Sequence, residues 1–121
     1  MPKQIQFKDI GKFMARIKSI RPDNIKNERR YEEVLDSIIH ICASALKSNP
    51  DRTTLSHKPD ELFGTSLCLE IITNLVVFED MKGFCAALSK ADNFEVCAMT
   101  EGKVSIGIVF EDVFDLAPPK K

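Results

Sequence analysis

Residues 94–110 read FEVCAMTEGKVSIGIVF, from Phe94 to Phe110, and the reading of this stretch decides the fold. Two runs rich in β-branched and aromatic residues, Phe94–Thr100 and Lys103–Phe110, flank Glu101-Gly102. The glycine supplies the positive φ that tight hairpin turns require, so the stretch is an antiparallel β-hairpin. With a two-residue loop, Cys97, Met99, Val104, Ile106, Ile108 and Phe110 share one face. Phe94, Val96, Ala98, Ser105, Gly107 and Val109 then share the other. Both faces carry apolar side chains, whereas a half-exposed ribbon is polar on its wet side. A lone two-stranded hairpin is not stable in water, so something covers each face. Helices account for one face. The other needs further strands, the C-terminal Val113-Phe114-Leu116 segment, or a second subunit. Burying Phe94, Val96 and Val109 would contribute roughly 1.5–3 kcal/mol each, and these three are the candidate interface residues. Gly107, inside the strand, suggests a bulge or the close approach of another backbone.

Outward from the hairpin, the rest of the chain reads mainly as helix. Phe7, Ile10, Phe13, Met14, Ile17 and Ile20 recur at spacings of three and four, predicting a helix from about Lys8 to Ile20 that Pro22 ends. Lys3–Phe7 alternates and is a candidate short strand joining the sheet. Asp23 or Asn24 is placed to cap a second helix with a wide apolar stripe, Tyr31, Val34, Leu35, Ile38, Ile39, Ile41, Cys42, Ala45 and Leu46, which makes it central. The polar residues 51–58 read as a loop. Pro59, with Asp60 and Glu61, suits the first turn of a third helix. Leu67, Cys68, Ile71, Ile72, Leu75 and Val76 continue it at helical period, while the β-branched content keeps a strand over Leu69–Phe78 open. Asp80 is placed to cap a fourth helix carrying Met81, Phe84, Cys85 and Leu88. Gly11, Gly64 and Gly83 read as tight helix contacts, and the Pro118-Pro119-Lys120-Lys121 tail as frayed. The tetrad Val77–Asp80 recurs as Val109–Asp112, but its flanks do not match and it marks no repeat.

The expectation is therefore one α+β domain over residues 1–121, with about four helices packed on a small antiparallel sheet built on the C-terminal hairpin. The 121 residues include 36 Leu, Ile, Val and Phe, enough for one continuous core but not two. No apolar run approaches the roughly 20 residues of a membrane helix, and the N-terminal residues lack a signal-peptide core. Cys42, Cys68, Cys85 and Cys97 are separated by 26, 17 and 12 residues, with no CxxC pair. They read as free thiols of a reducing, cytoplasmic compartment.

Charge is balanced overall but divided along the chain. Met1–Arg30 holds nine basic and three acidic residues, a net of +6, while Tyr31–Lys121 holds eight and fifteen, a net of −7. Lys8, Lys12 and Arg16 fall at i, i+4 and i+8 on one helical line. Like charges at that spacing repel by about 0.2–0.5 kcal/mol per pair. Arg21, Lys26, Arg29 and Arg30 extend the patch. One reading is a phosphate-binding surface, with Lys8, Lys12, Arg16, Arg29 and Arg30 as its contacts. The other is a match to the acidic remainder of the chain, or a solvated face. No aromatics interleave with these charges on the exposed side, so stacking on single strands is not supported.

Motifs that carry chemistry are missing. There is no G-x-G-x-x-G, Walker loop, G-x-S-x-G or H-E-x-x-H. Asp36 and His40 sit four residues apart, the spacing of an oriented proton-transfer pair and equally of an ordinary surface pair. His57 falls in the polar loop. Cys42, Cys68 and Cys85 look buried by period, where a reactive thiol needs an exposed electropositive spot. Two isolated histidines and four scattered cysteines lack zinc-ligand spacing. The adjacent acidic pairs, Glu32-Glu33, Glu79-Asp80 and Glu111-Asp112, do not face one site.

The leading expectation is a non-catalytic protein-interaction module, an adaptor, accessory or inhibitor protein, without cofactor or metal and not bound to a membrane, with homodimerisation one way to cover the hairpin. The first alternative is a nucleic-acid or polyanion binder. The second is a small enzyme or ligand binder whose site no motif marks.

Overall fold

The structure, a computed structural model, describes residues 6–58, 64–74 and 81–115. These form a five-stranded antiparallel sheet and three α-helices, an α+β fold. In chain order they are β1 (Gln6–Phe7), α1 (Ile10–Lys18), α2 (Glu28–Ser48), β2 (Thr54–Lys58), β3 (Leu67–Asn74), α3 (Met81–Leu88), β4 (Asn93–Ala98) and β5 (Lys103–Phe110). The sheet order is β1-β2-β3-β5-β4.

Capping sets the ends of the first two helices. The Asp9 carboxylate accepts from the Lys12 N–H at 2.9 Å and starts α1 there, two residues beyond the expected Lys8. For α2 the cap is Asn27, whose side chain accepts from the Arg30 N–H at 3.0 Å. Asp23 and Asn24, the expected caps, belong instead to a 3₁₀ turn, Pro22–Asn24. The wide stripe of α2 is buried at Tyr31, Val34, Ile38, Ile41, Cys42 and Ala45, while Ile39 is exposed.

The largest departure from the sequence reading is β3. Helical period favoured a helix over residues 67–76, and the chain forms a strand instead, so the described residues hold three helices rather than four. Leu67, Leu69, Ile71 and Thr73 are buried and alternate with partly exposed Cys68, Glu70, Ile72 and Asn74. Period-two burial is strand geometry, and β3 is the sheet's central strand. Its neighbour β2 lies where a loop was expected. There Leu55 is buried towards the helices, and Ser56 is buried on the opposite face, opposite Glu70. The expected strand Lys3–Phe7 is seen at Gln6–Phe7, paired with β2; residues 3–5 lie outside the described residues. So do the expected helix start at Pro59, the continuation through Leu75, Val76 and Phe78, the Asp80 cap and the tail from Leu116.

Helices and sheet enclose one core. Phe13 and Ile17 from α1, Ile38 and Ile41 from α2, and Phe84 and Leu88 from α3 meet Leu55, Leu69, Ile71, Ile106 and Ile108 from the sheet. Each such side chain contributes about 1.5–3 kcal/mol relative to exposure. At one end of α2 the buried polar groups are chained: Asn49 Nδ2 donates to Thr73 Oγ1 at 3.3 Å, and Thr73 and Thr53 hydroxyls meet at 2.8 Å. Thr53 Oγ1 donates to the Ala45 carbonyl at 3.2 Å. With the Thr73 hydroxyl donating to Thr53, every member has a partner.

The other end of α2 is clasped to the hairpin. Arg30 Nη2 donates to Asp92 Oδ2 at 3.0 Å and to the Glu111 carbonyl at 2.6 Å. Asp92 Oδ2 in turn accepts from the Glu111 N–H at 2.7 Å. Val113 and Phe114 are buried nearby: Phe114 bridges Ile25 and its ring lies 6.3 Å from that of Tyr31. Gly64 has a local reason too. At φ 69°, a Cβ there would fall 2.6 Å from Arg21 Nη1.

Candidate interaction surface

The hairpin exists, but its register differs by one residue from the two-residue-loop expectation. Ala98 pairs with Val104, Val96 with Ile106 and Phe94 with Ile108. The turn spans Thr100–Gly102, with Glu101 at φ 61° and Gly102 at φ 73°, and is closed by the Met99 N–H donating to the Lys103 carbonyl at 2.8 Å. A one-residue slip turns every β4 side chain to the other face. Phe94 and Val96 therefore share the helix-side face with Ile106 and Ile108, while Cys97 and Glu95 point to the outer face. Val109 lies on that outer face, opposite Asn93 and Cys68, so the three expected interface residues do not form one patch.

β5 is not an exposed ribbon strand. It lies between β3 and β4, and Val104, Ile106, Ile108 and Phe110 are buried. The exposed apolar surface gathers instead at β4, an edge strand of which every residue is exposed. Phe94 is 48%, Val96 54% and Met99 44% exposed. The Met99–Lys103 bond fixes which backbone groups are left over. In an antiparallel ladder bonded pairs alternate, so Cys97 and Glu95 bond to β5 while the N–H and C=O groups of Phe94, Val96 and Ala98 point away from the sheet. Natural edges are blunted by lysine, proline, bulges or shortness. β4 is six residues long, in unbroken register, and contains neither lysine nor proline.

The outer face of the sheet is polar in its middle. Glu70 Oε2 lies 3.2 Å from Lys58 Nζ and accepts from Ser105 Oγ at 2.9 Å. Gly107 stands between Glu70 and Glu95, and nothing lies within 4 Å of where its Cβ would be. The expected bulge or close backbone is absent. A shallow depression of about 270 Å³ remains, lined by Lys58, Cys68, Glu95, Gly107 and Val109 among others.

The basic residues divide into two groups. Lys12 and Arg16 are exposed on α1, whereas Lys8 precedes the Asp9 cap and so lies off the expected helical line; none of the three forms an ion pair among the described residues. Arg21, Lys26, Arg29 and Arg30, the rest of the basic patch, are engaged. Lys26 lies 3.9 Å from Asp112, Arg29 lies 3.8 Å from Glu33, and Arg30 is held by Asp92. Arg21 bonds the Asp115 carbonyl and stacks over Phe114 at 5.5 Å. The five residues of the polyanion expectation are thus not brought together as one free patch.

The titratable groups fall out as follows. Asp36 and His40 are exposed on α2 and line a shallow groove with Ala86 and Lys90 of the α3 region. His57 is not in a solvated loop; it is half-buried in β2, where desolvation and then the nearby Arg16 charge lower its pKa. Burial pushes the Cys42 thiol up. Cys85 is exposed rather than buried, and Cys68 is intermediate. Cys97 is exposed, and its thiol pKa is raised, first by its hydrogen bond to the Glu95 carboxylate at 3.5 Å and then by that group's charge. No group of three or more His, Cys, Asp or Glu among the described residues could hold a metal ion. No described helix is long and apolar enough to cross a membrane.

Compared with known proteins, the chain matches no family model, no curated sequence and no solved structure.

Proposed function

We propose that this chain is a non-catalytic, cytoplasmic protein-interaction module that works by offering β4 to an extended strand of a partner protein. The observation that carries the reading is the coincidence, on one strand, of backbone groups at Phe94, Val96 and Ala98 unpaired among the described residues with exposed Phe94 and Val96 side chains, and exposed Met99 just beyond it. In strand addition the main chain supplies affinity and alternate side chains supply specificity, and β4 has both. The test is selection of extended peptides from a random display library by the wild-type chain and by Val96→Lys. Peptides retained by the first and lost by the second, with slowed amide exchange at Phe94, Val96 and Ala98, support the module. Binding indifferent to the substitution contradicts it.

A second reading has its own observation. Lys12 and Arg16 repel each other on α1, and with Lys8, just before the helix, they have no ion-pair partner among the described residues, which suits a phosphate-bearing polymer.

A further inference from the structure

We infer that the strand added to β4 is β4 of a second copy of this chain, paired antiparallel about a two-fold axis through Val96. The inference rests on the reading of β4 as the working edge, and goes beyond it by naming the occupant and the register. Only residues whose peptide groups face outward can pair across the new edge, so Phe94, Val96 and Ala98 must meet their counterparts. Three two-fold registers pair at least two of these residues on each strand. One sets Phe94 on Val96 and brings Glu95 directly against Glu95, two like charges opposed, which is destabilising. One sets Val96 on Ala98 and leaves Phe94 beyond the paired strand. The third sets Val96 on Val96, Phe94 on Ala98 and Glu95 on Cys97.

The third register is self-complementary in charge and in size. The only charge of β4, Glu95, meets the thiol type it already bonds within its own strand. The large Phe94 side chain faces the small Ala98. On the helix side, the apolar row Ile71–Ile106–Val96 continues through the axis into the same row of the second copy, and Leu69–Ile108–Phe94 runs on into Ala98–Val104. Two five-stranded sheets become one continuous sheet, the exposed edge is covered, and the contact closes without leaving a further β4 edge to extend.

The register can be read covalently. Because Glu95 and Cys97 bond inward to β5, they form a non-hydrogen-bonded pair across the axis, where Cα atoms lie about 4.5 Å apart. That lies within the roughly 4.4–6.8 Å that a disulfide spans. Glu95→Cys treated with oxidised glutathione, which leaves as two reduced glutathiones per bond formed, should therefore give a covalent dimer in which each introduced thiol is joined to native Cys97 of the other copy, as identified by peptide mapping. Sedimentation of the unmodified chain from micromolar to millimolar concentration should show a monomer–dimer equilibrium, and Val96→Lys should weaken it by at least about tenfold. A chain monomeric throughout that range, a dimer untouched by Val96→Lys, or disulfides joining native Cys97 of one copy to native Cys97 of the other would each overturn the inference. If the chain is monomeric yet still retains extended peptides on β4, the interaction module stands and only the second copy falls. If it retains none, both fall.

Discussion

Val96 and Ile106 are directly opposed across β4 and β5 and share the helix-side face, yet Ile106 is 6% exposed and Val96 54%. The difference is position in the sheet. Ile106 also faces Ile71 of β3 and lies beneath the helices, whereas Val96 has a neighbour on one side only. Substituting the two should separate folding from association. Ile106→Ala should cost about 2–5 kcal/mol of folding stability. Val96→Lys, an exposed edge substitution, should change dilute-solution stability by less than about 0.5 kcal/mol. Urea denaturation at low protein concentration measures both.

His57 makes stability depend on pH. Its folded-state pKa is lowered from 6.5 by desolvation and Arg16. Above the unfolded value both states are neutral there and its contribution is complete. As pH falls below that value, the unfolded chain takes up a proton that the native chain resists, so stability declines until the folded pKa is passed. His57→Gln should flatten this part of the stability–pH curve. Arg16→Gln should move the His57 titration upward, as followed by NMR.

The Asn49–Thr73–Thr53–Ala45 chain is buried at its two hydroxyls. Thr73→Val keeps the shape but removes both an acceptor and a donor. It should cost about 1–3 kcal/mol, the penalty for stranding buried polar partners, as measured by denaturant unfolding. Thr53→Val should cost a similar amount, and the double variant should cost less than the two added, because the residues act on one another.

Arg30 ties α2 to both ends of the hairpin through Asp92 and Glu111. The Arg30 and Asp92 side chains are each 38% exposed, so solvent screens the ion pair and the hydrogen bonds carry most of its effect. Arg30→Met should lower stability by about 1 kcal/mol and raise amide exchange at Glu111, whose N–H shares the Asp92 carboxylate.

If the second reading holds, nucleic acid should be retained at low salt and released as salt rises. Lys8→Gln, Lys12→Gln and Arg16→Gln should each reduce the salt slope by about one. Arg30→Gln should leave the slope unchanged, since Arg30 is committed to Asp92. Mobility shift at two salt concentrations measures this.

Much of the fold could be read from side-chain spacing, and the exceptions have physical causes. α1 and α2 announce themselves because their apolar residues face a single neighbour, the core. β3 does not, because Leu67, Cys68, Ile71 and Ile72 satisfy helical period as well as Leu67, Leu69, Ile71 and Thr73 satisfy strand period. The choice between them is made by β2 and β5, which flank it. β2 was hidden because Ser56, and Thr53 just before the strand, are buried although polar, each with a hydrogen bond. The candidate surface was half legible. The excess of apolar residues in 94–110 was real, but most of it is met by β3 and the helices. A one-residue error in the turn, because the Met99 N–H bonds the Lys103 carbonyl and Thr100 joins the loop, put Val109 beside Phe94 and Val96 when it lies on the opposite face.

Amide hydrogen exchange reads the outward backbone of β4 directly. We expect the Phe94, Val96 and Ala98 amides to exchange rapidly in dilute protein and to become protected as concentration rises or an extended peptide is added, while Cys97 and Met99 stay protected throughout. Rapid exchange at Phe94, Val96 and Ala98 under every one of these conditions would contradict strand addition at β4.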